Sequence, residues 1–127
     1  MSAPIRVLVI DDEKGLRDMM TFALKRLKFE VDTAENGEKG IVTALAGDFD
    51  VVICDVMMPG LDGLAVLEIL KRERPELEII LVTGIPDDES AARAMKLGAV
   101  DYVAKPYHLP QLLELIEKTA ARKRAGA

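Results

Sequence analysis

Acidic side chains stand where two apolar runs stop: Asp11 and Asp12 follow VLVI, and Asp55 follows VVIC. Thr83 follows IILV, and Lys105 follows YVA. Each has an ordinary explanation when taken alone. Asp11 or Asp12 can cap a helix from Glu13, since carboxylates suit helix N-termini. Asp55 can open an Asx turn into Pro59-Gly60. Thr83 before Gly84 can be a turn residue, and Lys105 before Pro106 a solvated loop charge. Brought to one place, the same residues mean something else. Three crowded carboxylates repel one another, and the arrangement is tolerable only if a cation and the Lys105 ammonium offset them. With one cysteine and one histidine, His108, in the chain, the donors are oxygens, which select a hard divalent ion, Mg²⁺ rather than zinc. A carboxylate beside Mg²⁺, a lysine and a hydroxyl donor provides the oxygen nucleophile and charge stabilisation that phosphoryl transfer requires. An aspartyl phosphate is the expected product.

Those residues meet only if the elements carrying them end at a common edge. Ile5 to Ile10, Val51 to Cys54 and Ile79 to Val82 are short and rich in Val and Ile, so they read as central strands buried on both faces. Phe29 to Thr33 alternates apolar with polar, and Val100 to Ala104 carries Asp101 and Tyr102, so these two read as sheet edges. Helical stripes separate them. Leu16, Met19, Met20, Ala23, Leu24 and Leu27 form one, and Leu109, Leu112, Leu113, Ile116 and Ala120 another. Leu64, Leu67 and Leu70 make a third, with Ile41, Ala44 and Leu45 a shorter one. The segment Asp87 to Leu97 has only Ala91, Ala94 and Met95 as an apolar face and is expected to pack least firmly. Five strands alternating with helices give an α/β fold, (βα)₅, with a parallel sheet covered on both faces. Ligands in such open sheets bind beyond the carboxyl ends of the strands, where the tips above lie.

Composition narrows the function. The 127 residues suit one domain, with a net charge of −5 and 50% hydrophobic residues. An acidic surface argues against nucleic acid as a direct partner, because phosphate contacts need a basic face, and Arg122-Lys123-Arg124 is too short to change that. Neither a membrane span nor a signal peptide is legible, so a cytoplasmic location is expected. Cys54, inside an apolar run, is expected to pack as a small hydrophobe rather than react.

The segments VLVIDDE (residues 7 to 13), DVVICDVMMPGLDG (50 to 63), IILVTG (79 to 84) and GAVDYVAKPY (98 to 107) resemble the receiver domain of two-component response regulators. The likeness covers residues 4 to 121. It implies a flavodoxin-like doubly wound sheet of order 2-1-3-4-5. It also assigns roles. Asp55 matches the phosphorylated aspartate, and Asp11 and Asp12 the acidic pair that holds Mg²⁺, Asp12 more directly and Asp11 partly through water. Met57 matches the position whose backbone carbonyl is a metal ligand. Lys105 matches the lysine that pairs with the phosphoryl group, and Pro106 the usual cis proline. Thr83 and Tyr102 match the hydroxyl and the aromatic that move together on switching. The implied partners are a sensor histidine kinase or a histidine phosphotransfer protein in a phosphorelay, and an output domain or protein. The face of the fourth helix, fifth strand and last helix would switch and form a phosphorylation-dependent homodimer. Acetyl phosphate should serve as a small donor, and catalysis should be limited to the domain's own phosphorylation and slow autodephosphorylation. Tyr107 departs from the commoner phenylalanine and is expected close to the output face.

Two other readings compete. A flavodoxin-like pseudo-receiver would use the same surface for binding without phosphorylation, and the complete set Asp11, Asp12, Asp55, Thr83 and Lys105 argues against it. An Mg²⁺-dependent phosphatase would need an acid two residues after the nucleophile, where this chain has Met57. No P-loop or GxGxxG is present. The domain is expected over 1–121, with 122–127 as a tail or the start of a linker.

Overall fold

The computed structural model describes residues 3–126. Five strands and five helices alternate: β1 (Arg6–Ile10), α1 (Lys14–Arg26), β2 (Glu30–Ala34), α2 (Gly37–Ala46), β3 (Val51–Asp55), α3 (Gly63–Glu73), β4 (Ile79–Thr83), α4 (Asp88–Lys96), β5 (Asp101–Ala104) and α5 (Leu109–Ala125). All strand pairs are parallel, in the order β2-β1-β3-β4-β5. The chain therefore winds one way from β1 and the other way from β3. The order reverses between β1 and β3, where Ile10 pairs with Cys54.

Alternate residues of the central strands build two separate cores. Leu8, Ile10, Val52, Cys54, Ile79 and Leu81 face Ala44 of α2, Val66, Leu67 and Leu70 of α3 and Ala94 of α4. Val7, Val9, Val51, Ile53, Ile80 and Val82 face Met20 and Leu24 of α1 and Leu112, Ile116 and Ala120 of α5. Each fully buried Val, Leu or Ile contributes about 1.5–3 kcal/mol over its exposed state. That drive is concentrated in β3 and β4, which are buried along their whole length. They are the strands that carry Asp55 and Thr83, each as the last strand residue rather than the first residue beyond it.

The pole opposite those tips is held by cations. Arg74 at the end of α3 donates to the carbonyls of Ala44, Leu45 and Gly47, satisfying the open end of α2. Arg124, in the last turn of α5, donates from Nε and Nη2 to the two oxygens of Asp50, at 3.1 and 2.8 Å, and to the carbonyls of Ala3 and Pro4. Lys123 Nζ donates to Phe49 O at 2.6 Å. The basic residues after 121 are thus helical and bound back to the start of the sheet. Burial would raise the pKa of Asp50, but the Arg124 and Arg6 N–H bonds and the nearby cations outweigh it and hold the carboxyl below its ordinary 3.8. Arg124→Ala is expected to cost about 1–2 kcal/mol at neutral pH, the scale of charged hydrogen bonds on a partly buried acceptor. A depressed carboxylate stabilises the fold above its unfolded pKa, and the contribution disappears as pH falls through the lower folded value. The difference in urea midpoint between wild type and variant should therefore be largest at neutral pH and narrow below 3.8, leaving the part due to the Ala3 and Pro4 carbonyls.

No helix among the described residues is long and apolar enough to cross a membrane. Cys54 is buried, and burial pushes its thiol far up, so it stays protonated and packs as an apolar residue.

Candidate functional site

The carboxyl edge of the sheet brings Asp11, Asp55 and Lys105 together. Asp11 and Asp55 are 2% and 3% exposed, which is little for charged groups. Lys105 Nζ lies 3.1 Å from Asp11 Oδ2 and 3.2 Å from Asp55 Oδ2. Lys105 is thus an internal counter-ion rather than a solvated loop charge; its side chain is 13% exposed. Burial opposes its charge, yet the Asp11 hydrogen bond and the charges of Asp11 and Asp55 raise its pKa above the ordinary value. Asp55 is raised by burial first and by the Asp11 charge second, with Lys105 only partly offsetting them. One ammonium does not balance the cluster.

Local turns aim each oxygen. Asp11 Oδ1 accepts from the Glu13 N–H at 2.9 Å in an Asx turn that leads into α1. Both oxygens of Asp11 are therefore engaged, which suits contact with a metal through water. Asp55 Oδ1 accepts from the Met57 N–H at 3.3 Å in an Asx turn. That turn leads to Gly60, whose φ of 77° favours glycine, and to Gly63 at the start of α3. A Cβ on Gly63 would lie 2.5 Å from the Asp55 carbonyl, so glycine lets α3 start directly against the strand end. Thr83 is fully buried, and its Oγ1 accepts from the Ile85 N–H at 3.1 Å. The Lys105-Pro106 bond is cis.

Carboxylate oxygens of Asp11, Asp12, Glu13 and Asp55 lie within 4.8 Å of one another. The donor set is all oxygen, mixes buried with exposed groups and carries excess negative charge, so it fits a partly hydrated hard dication such as Mg²⁺. Glu13, whose Oε1 is 4.0 Å from Lys105 Nζ, has no role in the sequence reading except to start α1. Its signal was the third consecutive acid. Tyr107 stands in the loop between β5 and α5. It lines an apolar groove with Glu13, Leu16 and Met19 against α1, beside Lys105 and Leu109, and burial pushes its hydroxyl up to about 12. Tyr102 packs against the core beneath α4, and its buried hydroxyl has no hydrogen-bond partner among the described residues.

A family model described as the response regulator receiver domain matches residues 7–117. The transcriptional regulatory protein CusR of Escherichia coli is 32% identical over 122 residues, 96% of this chain and 53% of that protein. The chain thus spans about half the length of that relative. The crystal structure of a CheY-like response regulator receiver domain protein from Methanospirillum hungatei superposes with a TM-score of 0.95 at 26% identity, covering 98% of this chain and 100% of that one. Response regulator TrrA from Thermotoga maritima, crystallised in complex with Mg²⁺-BeF, superposes with a TM-score of 0.83 at 34% identity, over 91% of this chain and 98% of that one. In sequence and in the 2-1-3-4-5 order of its sheet, the chain belongs to the response regulator receiver domains of two-component signalling.

Proposed function

We propose that this receiver domain takes a phosphoryl group onto Asp55 from a phosphohistidine on a sensor kinase or phosphotransfer protein, and that the acyl phosphate switches its α4-β5-α5 face. The observation that carries this is the Lys105 ammonium seated between two buried carboxylates at the switch point of the sheet. An ordinary structural ion pair has no need of the second carboxylate. Asp12, Asp55 and the Met57 carbonyl would hold Mg²⁺ directly, with Asp11 through water; TrrA with Mg²⁺-BeF supports the ion's identity. When bound, Mg²⁺ supplies charge neutralisation at the phosphoryl oxygens.

The remaining work falls to the chain's own groups. A carboxylate electron pair of Asp55 forms the new O–P bond as the P–N bond breaks, and the departing imidazole keeps the P–N bonding pair and takes a proton from water. Lys105 is placed to neutralise the charge that builds on the phosphoryl oxygens. Thr83 already uses Oγ1 as an acceptor, so its hydroxyl proton is available to a phosphoryl oxygen. Met57, 56% exposed beside Asp55, has no basic group with which to activate water, so hydrolysis should be slow. The domain is then a switch, not a turnover enzyme.

Phosphorylation adds about 1.5 to 2 negative charges and new acceptors. Drawing Thr83 inward would change the space open to Tyr102, whose buried hydroxyl has no partner among the described residues and would gain one in a position that reaches solvent. Ala94 is the buried residue of α4, so this helix can shift at small cost. The relative CusR is a transcriptional regulatory protein, which supports an output domain or partner reading this face, with dimerisation of the phosphorylated form.

The phosphodonor needs a seat beside Asp55. The groove of Leu16, Met19, Pro106, Tyr107 and Leu109 is apolar and borders Lys105, so it suits a partner helix carrying the phosphohistidine. Met19→Asp is expected to slow transfer from such a protein donor about tenfold, as loss of an interface anchor does, while leaving labelling by acetyl phosphate unchanged. Paired rate measurements with the two donors check this.

The reading as a whole is tested by intact mass after incubation with acetyl phosphate and Mg²⁺. A base-labile gain of one phosphoryl group that is lost in Asp55→Ala supports it. No gain in folded protein, with a competent kinase as donor, would leave a phosphorylation-independent binding module as the better reading.

A further inference from the structure

Arg17 breaks a local rule. It stands in the first turn of α1, where the helix dipole favours acids and this helix has none. Among the described residues its guanidinium makes no ion pair within 4.0 Å, although Asp11, Asp12 and Glu13 are near in sequence and Glu35 lies in reach of its field. Instead Nη1 donates to the backbone carbonyl of Asp11 at 2.7 Å. A guanidinium committed to one carbonyl, against the dipole and beside excess carboxylates, is a departure of the kind that marks functional sites.

The carbonyl it holds belongs to the peptide plane joining Asp11 to Asp12. Asp11 is otherwise fixed by its N–H to Ala34 O at 3.1 Å, by Glu13 N–H on Oδ1 and by Lys105 on Oδ2. Asp12 is exposed, and its carboxylate takes part in no hydrogen bond or ion pair among the described residues. Its direction therefore depends on the backbone before it. We propose that Arg17 is a positioning residue that pins the Asp11-Asp12 peptide plane and so aims the Asp12 carboxylate at the cation site. This rests on the reading that Asp12 holds Mg²⁺. Two effects of Arg17 on a cation oppose each other: its charge repels the ion, while its hydrogen bond preorganises a ligand. The guanidinium is half-exposed, so solvent weakens the first, while the second acts on the ligand's backbone directly.

The test is calorimetric titration of wild type, Arg17→Ala and Arg17→Lys with Mg²⁺ at physiological salt without phosphodonor, together with the Mg²⁺ dependence of acetyl phosphate labelling. Arg17→Ala should weaken Mg²⁺ about tenfold, the usual scale for losing a group that orients a metal ligand. Its labelling rate at saturating Mg²⁺ should stay within about twofold of wild type, because Asp55, Lys105 and Thr83 are untouched. Arg17→Lys keeps the charge and one donor and should fall between the two. Unchanged or tighter Mg²⁺ binding in folded Arg17→Ala would overturn the proposal, and unchanged binding in Arg17→Lys with a lowered maximal rate would do so too. Absence of Mg²⁺ binding in wild type would instead bring down the metal reading itself, and this inference with it.

Discussion

Asp55→Asn is expected to leave no phosphoryl group on the protein and, in EDTA, to raise its melting temperature by a few degrees. The first effect removes the nucleophile: an amide oxygen at this position cannot form an acyl phosphate with release of imidazole. The second follows from the cost of the metal-free cluster. Burial and the Asp11 charge raise the Asp55 pKa above 3.8 despite Lys105. A raised carboxyl favours the fold while protonated, so wild-type stability falls as pH rises from the unfolded value through the folded one. Asparagine is neutral throughout. Its advantage should be full at neutral pH and vanish below 3.8, where the wild-type carboxyl is also neutral. Mg²⁺ should reverse the order, because the ion stabilises the wild type by about 2.7 kcal/mol at a hundred times its dissociation constant and binds the variant more weakly. Melting curves in EDTA and in Mg²⁺ at two pH values give all four comparisons. Stabilisation of both proteins by Mg²⁺ to the same degree would show that Asp55 is not a ligand.

Lys105→Ala should separate stability from chemistry. Removing the ammonium leaves Asp11 and Asp55 buried and uncompensated, so the EDTA form should lose about 3 kcal/mol, the low end for breaking a buried pair. The same loss removes the cation that competes for these carboxylates, so Mg²⁺ should bind more tightly and restore much of the stability. Chemistry is not restored. At saturating Mg²⁺ the rate of labelling by acetyl phosphate should remain lower by about a hundredfold, the scale of losing one preorganised charge at the transferring group. A variant that is rescued in both stability and rate by Mg²⁺ would make Lys105 a structural counter-ion only.

The central strands were legible because three runs of Val and Ile are buried on both faces, and the observed β1, β3 and β4 match them to within a residue. The edge strands were legible through alternation, with β2 running one residue later than Phe29 to Thr33 because Phe29 packs against the α1 side of the core. Once the strands were set, the right-handed α/β rule placed Asp11, Asp55, Thr83 and Lys105 at one edge. Contacts between residues far apart in sequence were not legible. Nothing local to KTAARKRAGA shows that Arg124 reaches Asp50 and Pro4, since the bond is made by the packing of α5 across the sheet. Arg17 was hidden for a different reason, because its partner is a backbone carbonyl, which no residue type announces.

The central claim is that a phosphoryl group resides on Asp55 and nowhere else. Borohydride reduction of the labelled protein converts an aspartyl phosphate to homoserine, which peptide mass spectrometry then places in the chain. Homoserine at position 55 alone, dependent on both phosphodonor and Mg²⁺, is the predicted result. Homoserine at Asp11 or Asp12, or a phosphoryl group retained on His108, would contradict the account.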